Sequence, residues 1–237
     1  MTDFHTHILP GIDDGSQNVE TSVQMLAFAK KQGIDTIVAT PHFNIEYESI
    51  EHFEHKRARA AEALKTAVKG TELEKIKLLL GAEVALTPGL SRKESFNRLC
   101  MEGTNCILLE LPMNDWTSWV YNEVYAAMAM SYIPILAHIE RYTAIKANIK
   151  KINIFEEMDL CFQINSGSFF QFKYKKIINR FIKNRKTIVL GSDTHNMTTR
   201  KNDMGNAVSR IEKKYGKHIA EKFEKNAKML IDGSFGT

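Results

Sequence analysis

The sequence predicts an α/β fold, a distorted TIM-like (β/α)7 barrel carrying a metal site at the C-terminal ends of its strands. Three observations lead there. Seven apolar runs each give way to a stretch of helical periodicity, so strand and helix alternate along the chain. The runs are continuously apolar, as in a parallel sheet covered on both faces, where a half-exposed antiparallel sheet would alternate. Metal-competent side chains stand at or near the ends of six strands, on the rim where a (β/α) barrel collects its reactive groups. An open, doubly wound sheet is the alternative. With 237 residues, 43% of them hydrophobic, one domain spanning 1–237 can bury a full core. No repeat, low-complexity tract or Pro/Gly/Ser linker divides it.

The first strand, around Phe4, Ile8 and Leu9, carries His5 and His7 two residues apart and therefore on one face. Pro10-Gly11 then turns the chain into the acidic pair Asp13-Asp14. Asn18 caps a helix over 18–32 whose apolar face is Val23, Leu26, Ala27 and Ala29, and Gly33 stops it. The second strand, 34–40, ends at Pro41-His42, and a charged helix over 50–69 closes at Gly70. The third strand, 77–84, brings Glu83 to its end, and a short helix near 92–101 follows. The fourth, 106–112, carries Glu110 and precedes a helix over 119–130. The fifth, 133–141, carries His138 and Arg141 and precedes a helix over 145–157. The sixth, 160–166, leads to the basic helix 175–183. The seventh, 187–195, ends in Asp193 and His195 before closing helices over 203–215 and 218–230. Imidazole and carboxylate together suit Zn, Mn or Fe far better than Ca or Mg. A water-facing edge strand would explain His5 and His7 alone, but not ligand-type residues at six strand ends.

Composition narrows the function classes. Lys and Arg number 32 against 28 Asp and Glu, a net charge of +4 that suits an anionic substrate but is too weak to argue for nucleic acid. The three cysteines, Cys100, Cys106 and Cys161, form no C-x-x-C pair and read as reduced, buried thiols. No apolar run approaches the ~18 residues needed to span a bilayer, and no signal-peptide pattern precedes His5. A cytoplasmic protein without membrane insertion is expected.

The runs His5-Thr-His7, Asp13-Asp14-Gly15, Thr40-Pro-His42, Gly81-Ala-Glu83, Glu110-Leu-Pro112, His138-Ile-Glu-Arg-Tyr142 and Ser192-Asp-Thr-His195 carry a resemblance. Together they resemble the polymerase-and-histidinol-phosphatase (PHP) superfamily. Within it they look like the bacterial metal-dependent protein-tyrosine phosphatases of capsule and exopolysaccharide operons. Asp14 stands where histidinol-phosphatase relatives tend to carry a third histidine. The resemblance implies three divalent or transition metal ions, Mn foremost with Fe or Zn possible. It places one with His5, His7, Glu83 and Asp193, a second with Asp14, His42 and His195, and a third with Glu83, Glu110 and His138. Glu83 would then bridge two ions, and a hydroxide shared between ions would attack phosphorus. Arg141 would clamp two phosphate oxygens. Arg200 is the second candidate, with Lys201 the alternative because the segment after His195 lacks the Pro-rich continuation of relatives. The implied substrate is a phosphotyrosine protein, the tyrosine-rich tail of a bacterial tyrosine kinase that controls polysaccharide synthesis.

No cysteine has an arginine six residues later, so the C-x5-R signature of thiol-based phosphatases is absent. The competing readings are a histidinol-phosphate-type small-molecule phosphatase, a nucleic-acid-processing PHP phosphoesterase and a non-catalytic metal-stabilised scaffold. Other features read blandly. His52, His55 and His218 are expected at the surface. Trp116 or Trp119 either walls a substrate pocket or packs in the core. The basic run 173–186 solvates an outer helix face or meets an acidic partner.

Overall fold

The computed structural model describes residues 1–158 and 160–235. In chain order its strands are β1 (Thr2–Thr6), β2 (Thr36–Ala39), β3 (His42–Phe43), β4 (Lys77–Leu80), β5 (Glu83–Ala85), β6 (Cys106–Glu110), β7 (Ile133–Leu136), β8 (Cys161–Asn165) and β9 (Thr187–Gly191). The helices are α1 (Val19–Lys31), α2 (Ile50–Val68), α3 (Ser118–Ala129), α4 (Lys146–Glu157), α5 (Lys175–Lys183), α6 (Met204–Tyr215) and α7 (Lys217–Ile231). All strand pairings are parallel, so the α/β class is as expected.

The single seven-strand ring is not what the pairing shows. The strands fall into a three-stranded sheet, β1-β2-β4, and a six-stranded sheet, β3-β5-β6-β7-β8-β9. One predicted strand, 77–84, breaks to make this split, and a short strand forms beyond the predicted end of another. Pro41, which has no N–H for a ladder, separates β2 from β3, and Gly81-Ala82 separates β4 from β5. At the far edge His7 N donates to Thr194 O and Asp193 N donates to His5 O, at 3.0 and 2.8 Å. These bonds bring β1 alongside the chain beyond β9 without a continuous ladder.

Helices with strong end signals form where the sequence places them. The Asn18 side chain accepts from Thr21 N, and Gly33 (φ 85°) follows the end of α1. The helix expected near 92–101 does not form. Two short 3-10 turns, Leu90–Arg92 and Phe96–Leu99, stand there instead, and buried Glu123 holds the first by accepting from Gly89 N, Ser91 N and Ser91 Oγ. The fifth and seventh strands stop early, at Leu136 and Gly191. His138 (φ 30°) and Asp193 (φ 53°) then turn the backbone into the left-handed region.

Strand alternation divides the core in two. Ile107 and Leu109 of β6, and Phe162 and Ile164 of β8, pack outward with the helices. Cys106, Leu108, Ile135, Cys161 and Val189 form a second cluster with Phe4 and Val38 on the opposite face. Because side chains alternate, that face continues along β6 to Glu110 and along β8 to Gln163 and Asn165. The same face is therefore apolar at the N-terminal ends of these strands and polar at their C-terminal ends.

Candidate metal centre

The polar end of that face gathers all nine residues singled out as ligands. His5, His7, Glu83 and Asp193 each place a ligating atom within 4.8 Å of one another, as do His7, Asp14, His42 and His195, and also His42, Glu83 and Glu110. His138 joins them, its Nε2 lying 2.8 Å from Glu83 Oε1 and 3.6 Å from Glu110 Oε1. Glu83 is the hub. Its Oε2 is 3.1 Å from His5 Nε2, 3.2 Å from His7 Nε2 and 3.1 Å from His42 Nδ1. On the outer side Asp14 Oδ1 lies 3.5 Å from His42 Nε2 and 3.3 Å from His195 Nε2.

Hydrogen bonds behind the ligands decide what these atoms can do. His5 Nδ1 faces Gln163 Oε1 at 3.0 Å, and His7 Nδ1 faces Asp13 Oδ2 at 2.7 Å. Both partners are acceptors, so each imidazole carries a proton on Nδ1 and, in its neutral form, turns a lone pair outward at Nε2. Those two Nε2 atoms are only 3.1 Å apart. Two lone pairs at that separation repel, and a proton on one nitrogen or a metal ion bound by both relieves the repulsion. His195 repeats the pattern, with Nδ1 on its neighbour's carbonyl, Asp193 O, and a buried Nε2 without a hydrogen-bond partner. The donor set therefore fits metal ions, and its nitrogen and oxygen atoms suit Mn, Fe or Zn.

Charge in the cluster agrees. Burial would raise Glu83, but the surrounding imidazoles of His5, His138 and His7 hold it well below the usual carboxylate range. Burial likewise opposes a charge on His7, yet Asp13, Asp193 and Glu83 raise its proton affinity well above normal. Burial and the charge of His7 push His195 down to about 4, the neutral form that ligates. Glu110 is raised by burial and by Glu83, so it stands where an added positive charge would most stabilise its carboxylate.

Both arginines reach the cluster. Arg200 donates through Nη2 to Asp193 Oδ1 at 2.8 Å, and Arg141 Nη1 is 3.5 Å from Asp193 Oδ2. A surface pair between Arg141 and Glu140 does not form, because Glu140 is buried and accepts from Ser168 Oγ and Asn165 N. The loop after His195 needs no proline. Asn196 Oδ1 accepts from the backbone N–H groups of Thr198, Thr199 and Arg200, and Arg200 O accepts from His195 N.

Three positioning residues escape a reading by residue type. Asp13 orients His7 and also accepts from His42 N and Gly15 N; these bonds hold its carboxyl near pKa 2 although burial would raise it. Gln163 Oε1 accepts from both His5 and His138 N, its Nε2 donates to Asn165 Oδ1, and Asn165 Nδ2 donates to Asp193 Oδ2. That chain ties two ligands of one cluster together from behind. The available signal was a glutamine and an asparagine on alternate positions of an otherwise apolar strand. Trp116 is 1% exposed and packs on Tyr142 and Phe155 in the core, away from any substrate wall. His52, His55 and His218 are exposed, and all three cysteines are free and buried.

Residues 1–232 match the family model described as capsular polysaccharide synthesis, CpsB/CapC. The chain is 31% identical to the tyrosine-protein phosphatase CpsB of Streptococcus pneumoniae, over 98% of both chains. It is 30% identical to the tyrosine-protein phosphatase YwqE of Bacillus subtilis, over 98% of this chain and 91% of the relative. Its structure superposes with a TM-score of 0.87 and 29% identity on a crystal structure from work on YwqE and CpsB as metal-dependent tyrosine phosphatases. That match covers 98% of this chain and 94% of the other.

Proposed function

The chain belongs to the CpsB/CapC family of capsular polysaccharide synthesis, and from that premise we propose that it is a metal-dependent protein-tyrosine phosphatase of the PHP superfamily. One observation in the site carries the reading. The Nε2 atoms of His5 and His7 face each other at 3.1 Å with Glu83 Oε2 beside both, a nitrogen and oxygen donor set that suits a metal ion.

In the finer reading three ions are held, Mn foremost with Fe or Zn as alternatives. His5, His7, Glu83 and Asp193 hold one, Asp14, His42 and His195 a second, and Glu83, Glu110 and His138 a third. When bound, such ions lower the pKa of coordinated water and neutralise charge on phosphoryl oxygens. The chain's own groups do the rest. Arg141 and Arg200, now turned to Asp193, present N–H donors at the mouth of the cluster where a phosphate monoester would enter. Asp13, Gln163 and Asn165 keep the ligands in register. Tyrosine is a good leaving group, its phenol having a pKa of about 10, so the site needs little help from a general acid. The β1–β9 contacts and the continuity of β2 into β3 and of β4 into β5 support reading the two sheets as a distorted barrel. We take 1–237 as one domain acting in the cytoplasm on the tail of a tyrosine kinase. A phosphatase panel on Mn-loaded protein tests the reading. Turnover of a phosphotyrosine peptide well above a phosphoserine peptide and histidinol phosphate is expected, and preference for histidinol phosphate would overturn it.

A further inference from the structure

The basic run 173–186 is divided in its use. Arg180 pairs with Glu156 Oε1 at 2.8 Å, and Lys186 donates to Glu156 O, so its C-terminal half is committed to the fold. Its N-terminal half faces elsewhere. A cavity of about 420 Å3 opens beside the metal cluster, with Arg141 and Arg200 at the cluster and Lys173 and Lys201 along its wall. Through Ser168 and Gln171 it joins a second depression of about 170 Å3 lined by Lys175, Arg210 and Lys214. Lys173, Lys175, Lys201 and Arg210 are exposed, and among the described residues none forms an ion pair with a carboxylate. Three of these cations rest on rings instead, Lys173 on Tyr174, Lys175 on Phe172 and Arg210 on Phe170, at 4.6, 5.7 and 5.3 Å. The acidic side chains on the path are two, Asp193 in the metal cluster and Asp203, which accepts from Ser166 and feels the charge of Lys201. Phe172 is 87% exposed and Phe170 is 45% exposed.

A path on which cations outnumber carboxylates repels itself and is relieved by an opposite charge laid along it. Exposed rings beside it supply apolar contact of the kind that anchors a polypeptide. We propose that this path, from the metal centre over residues 168–175 to α6, is a docking groove for the acidic, aromatic-bearing polypeptide segment that flanks the phosphotyrosine. The inference rests on the phosphotyrosine-phosphatase reading and adds the chemistry of the residues around the phosphate. A polypeptide is favoured over RNA because the groove starts at the phosphotyrosine site, so the polymer that follows it is the one bearing that residue.

The test measures kcat/KM of the Mn-loaded full chain on equal-length phosphotyrosine peptides with acidic, neutral or basic flanks, with para-nitrophenyl phosphate alongside. The acidic peptide should exceed the neutral one by about 10-fold, mainly in KM. The difference should shrink as salt rises from about 0.1 M to 1 M and the Debye length falls from about 10 to 3 Å. The triple change Lys173→Glu, Lys175→Glu, Arg210→Glu should abolish or invert the preference. The charge-matched triple Lys65→Glu, Lys69→Glu, Lys225→Glu, on α2, at its end and on α7, should keep it. Equal rates on acidic and neutral peptides, or equal losses in both triples, would overturn the groove. So would a single-stranded RNA oligonucleotide that inhibits more strongly than an unphosphorylated acidic peptide. Failure to hydrolyse para-nitrophenyl phosphate or any phosphotyrosine peptide would instead sink the underlying phosphatase reading.

Discussion

Four imidazoles meet the one carboxylate of Glu83, three on Oε2 and one on Oε1. In the proposed reading a residue so placed bridges ions, so Glu83→Ala should lose more than one metal equivalent together with turnover. Elemental analysis finding full metal content in that variant would remove the bridging assignment. Gln163 acts at one remove, because its single oxygen holds His5 Nδ1 and His138 N at once. Gln163→Leu leaves His138 N unpaired and His5 free to change tautomer. Outer partners of this kind typically carry about 10–100-fold in metal affinity. Gln163→Glu keeps the acceptor and should retain most of that affinity, so a metal competition titration in which the leucine variant binds as tightly as wild type would reject the positioning role. Arg141 is tested by its geometry. Lysine keeps the charge but not the planar fork, so Arg141→Lys should lose roughly 100-fold in turnover with metals still bound. Near-wild-type kcat/KM on a phosphotyrosine peptide would leave phosphate binding to the metals alone.

Between elements, β9 and β1 crowd together at Gly191. A Cβ added at Gly191 would lie 2.5 Å from His5 Cβ, 2.8 Å from Gln163 Nε2 and 3.0 Å from His5 N. Two of those atoms are fixed by the strand, so Gly191→Ala must push β1 and its ligand outward. Overpacking of that kind costs roughly 1–3 kcal/mol, a fall in Tm of about 2–4 °C per kcal/mol for a chain of this size. Metal content should fall with it, and calorimetry showing an unchanged Tm would mean the sheet edge gives way freely. This crowding marks the limit of what the sequence shows at this scale. Helices were legible because their signals are local: Asn18 and Gly33 bound α1, and α5 runs over the very residues 175–183 read as a basic helix. Strand ends bearing polar residues were legible too, since a buried parallel strand has no other use for histidine or glutamate. What stayed hidden depends on distant partners. Glu123, more than 30 residues downstream, holds the turn at 89–91 just ahead of the stretch near 92–101 where a helix is expected. The split into two sheets follows from Pro41 and Gly81, whose effect on pairing only appears once neighbours are in place.

Across the whole molecule, polar chemistry lies at the C-terminal ends of the strands and two of the three thiols in the apolar cluster toward their N-terminal ends. A net charge of +4 conceals this order as well as the cationic path beside the cluster. The thiols supply a test that separates the two ends. Burial pushes Cys100 up to about 12 and Cys106 up to about 11, from an ordinary 9.0. A folded-state pKa above the unfolded one means the native state holds its proton more tightly. The contribution to stability is therefore complete below about pH 9 and is lost as pH rises from there toward 11–12. Two results should follow. At pH 8 the thiolate fraction is too small for iodoacetamide to react quickly, so alkylation should spare activity while a chelator abolishes it and added Mn restores it. Above pH 9 the Tm should fall, and the double variant Cys100→Ala, Cys106→Ala should show a shallower fall, whatever its absolute stability. Rapid inactivation by iodoacetamide with metal retained would place a working thiol in the mechanism. An alkaline slope identical in the double variant would show that those protons contribute nothing to the fold's pH dependence.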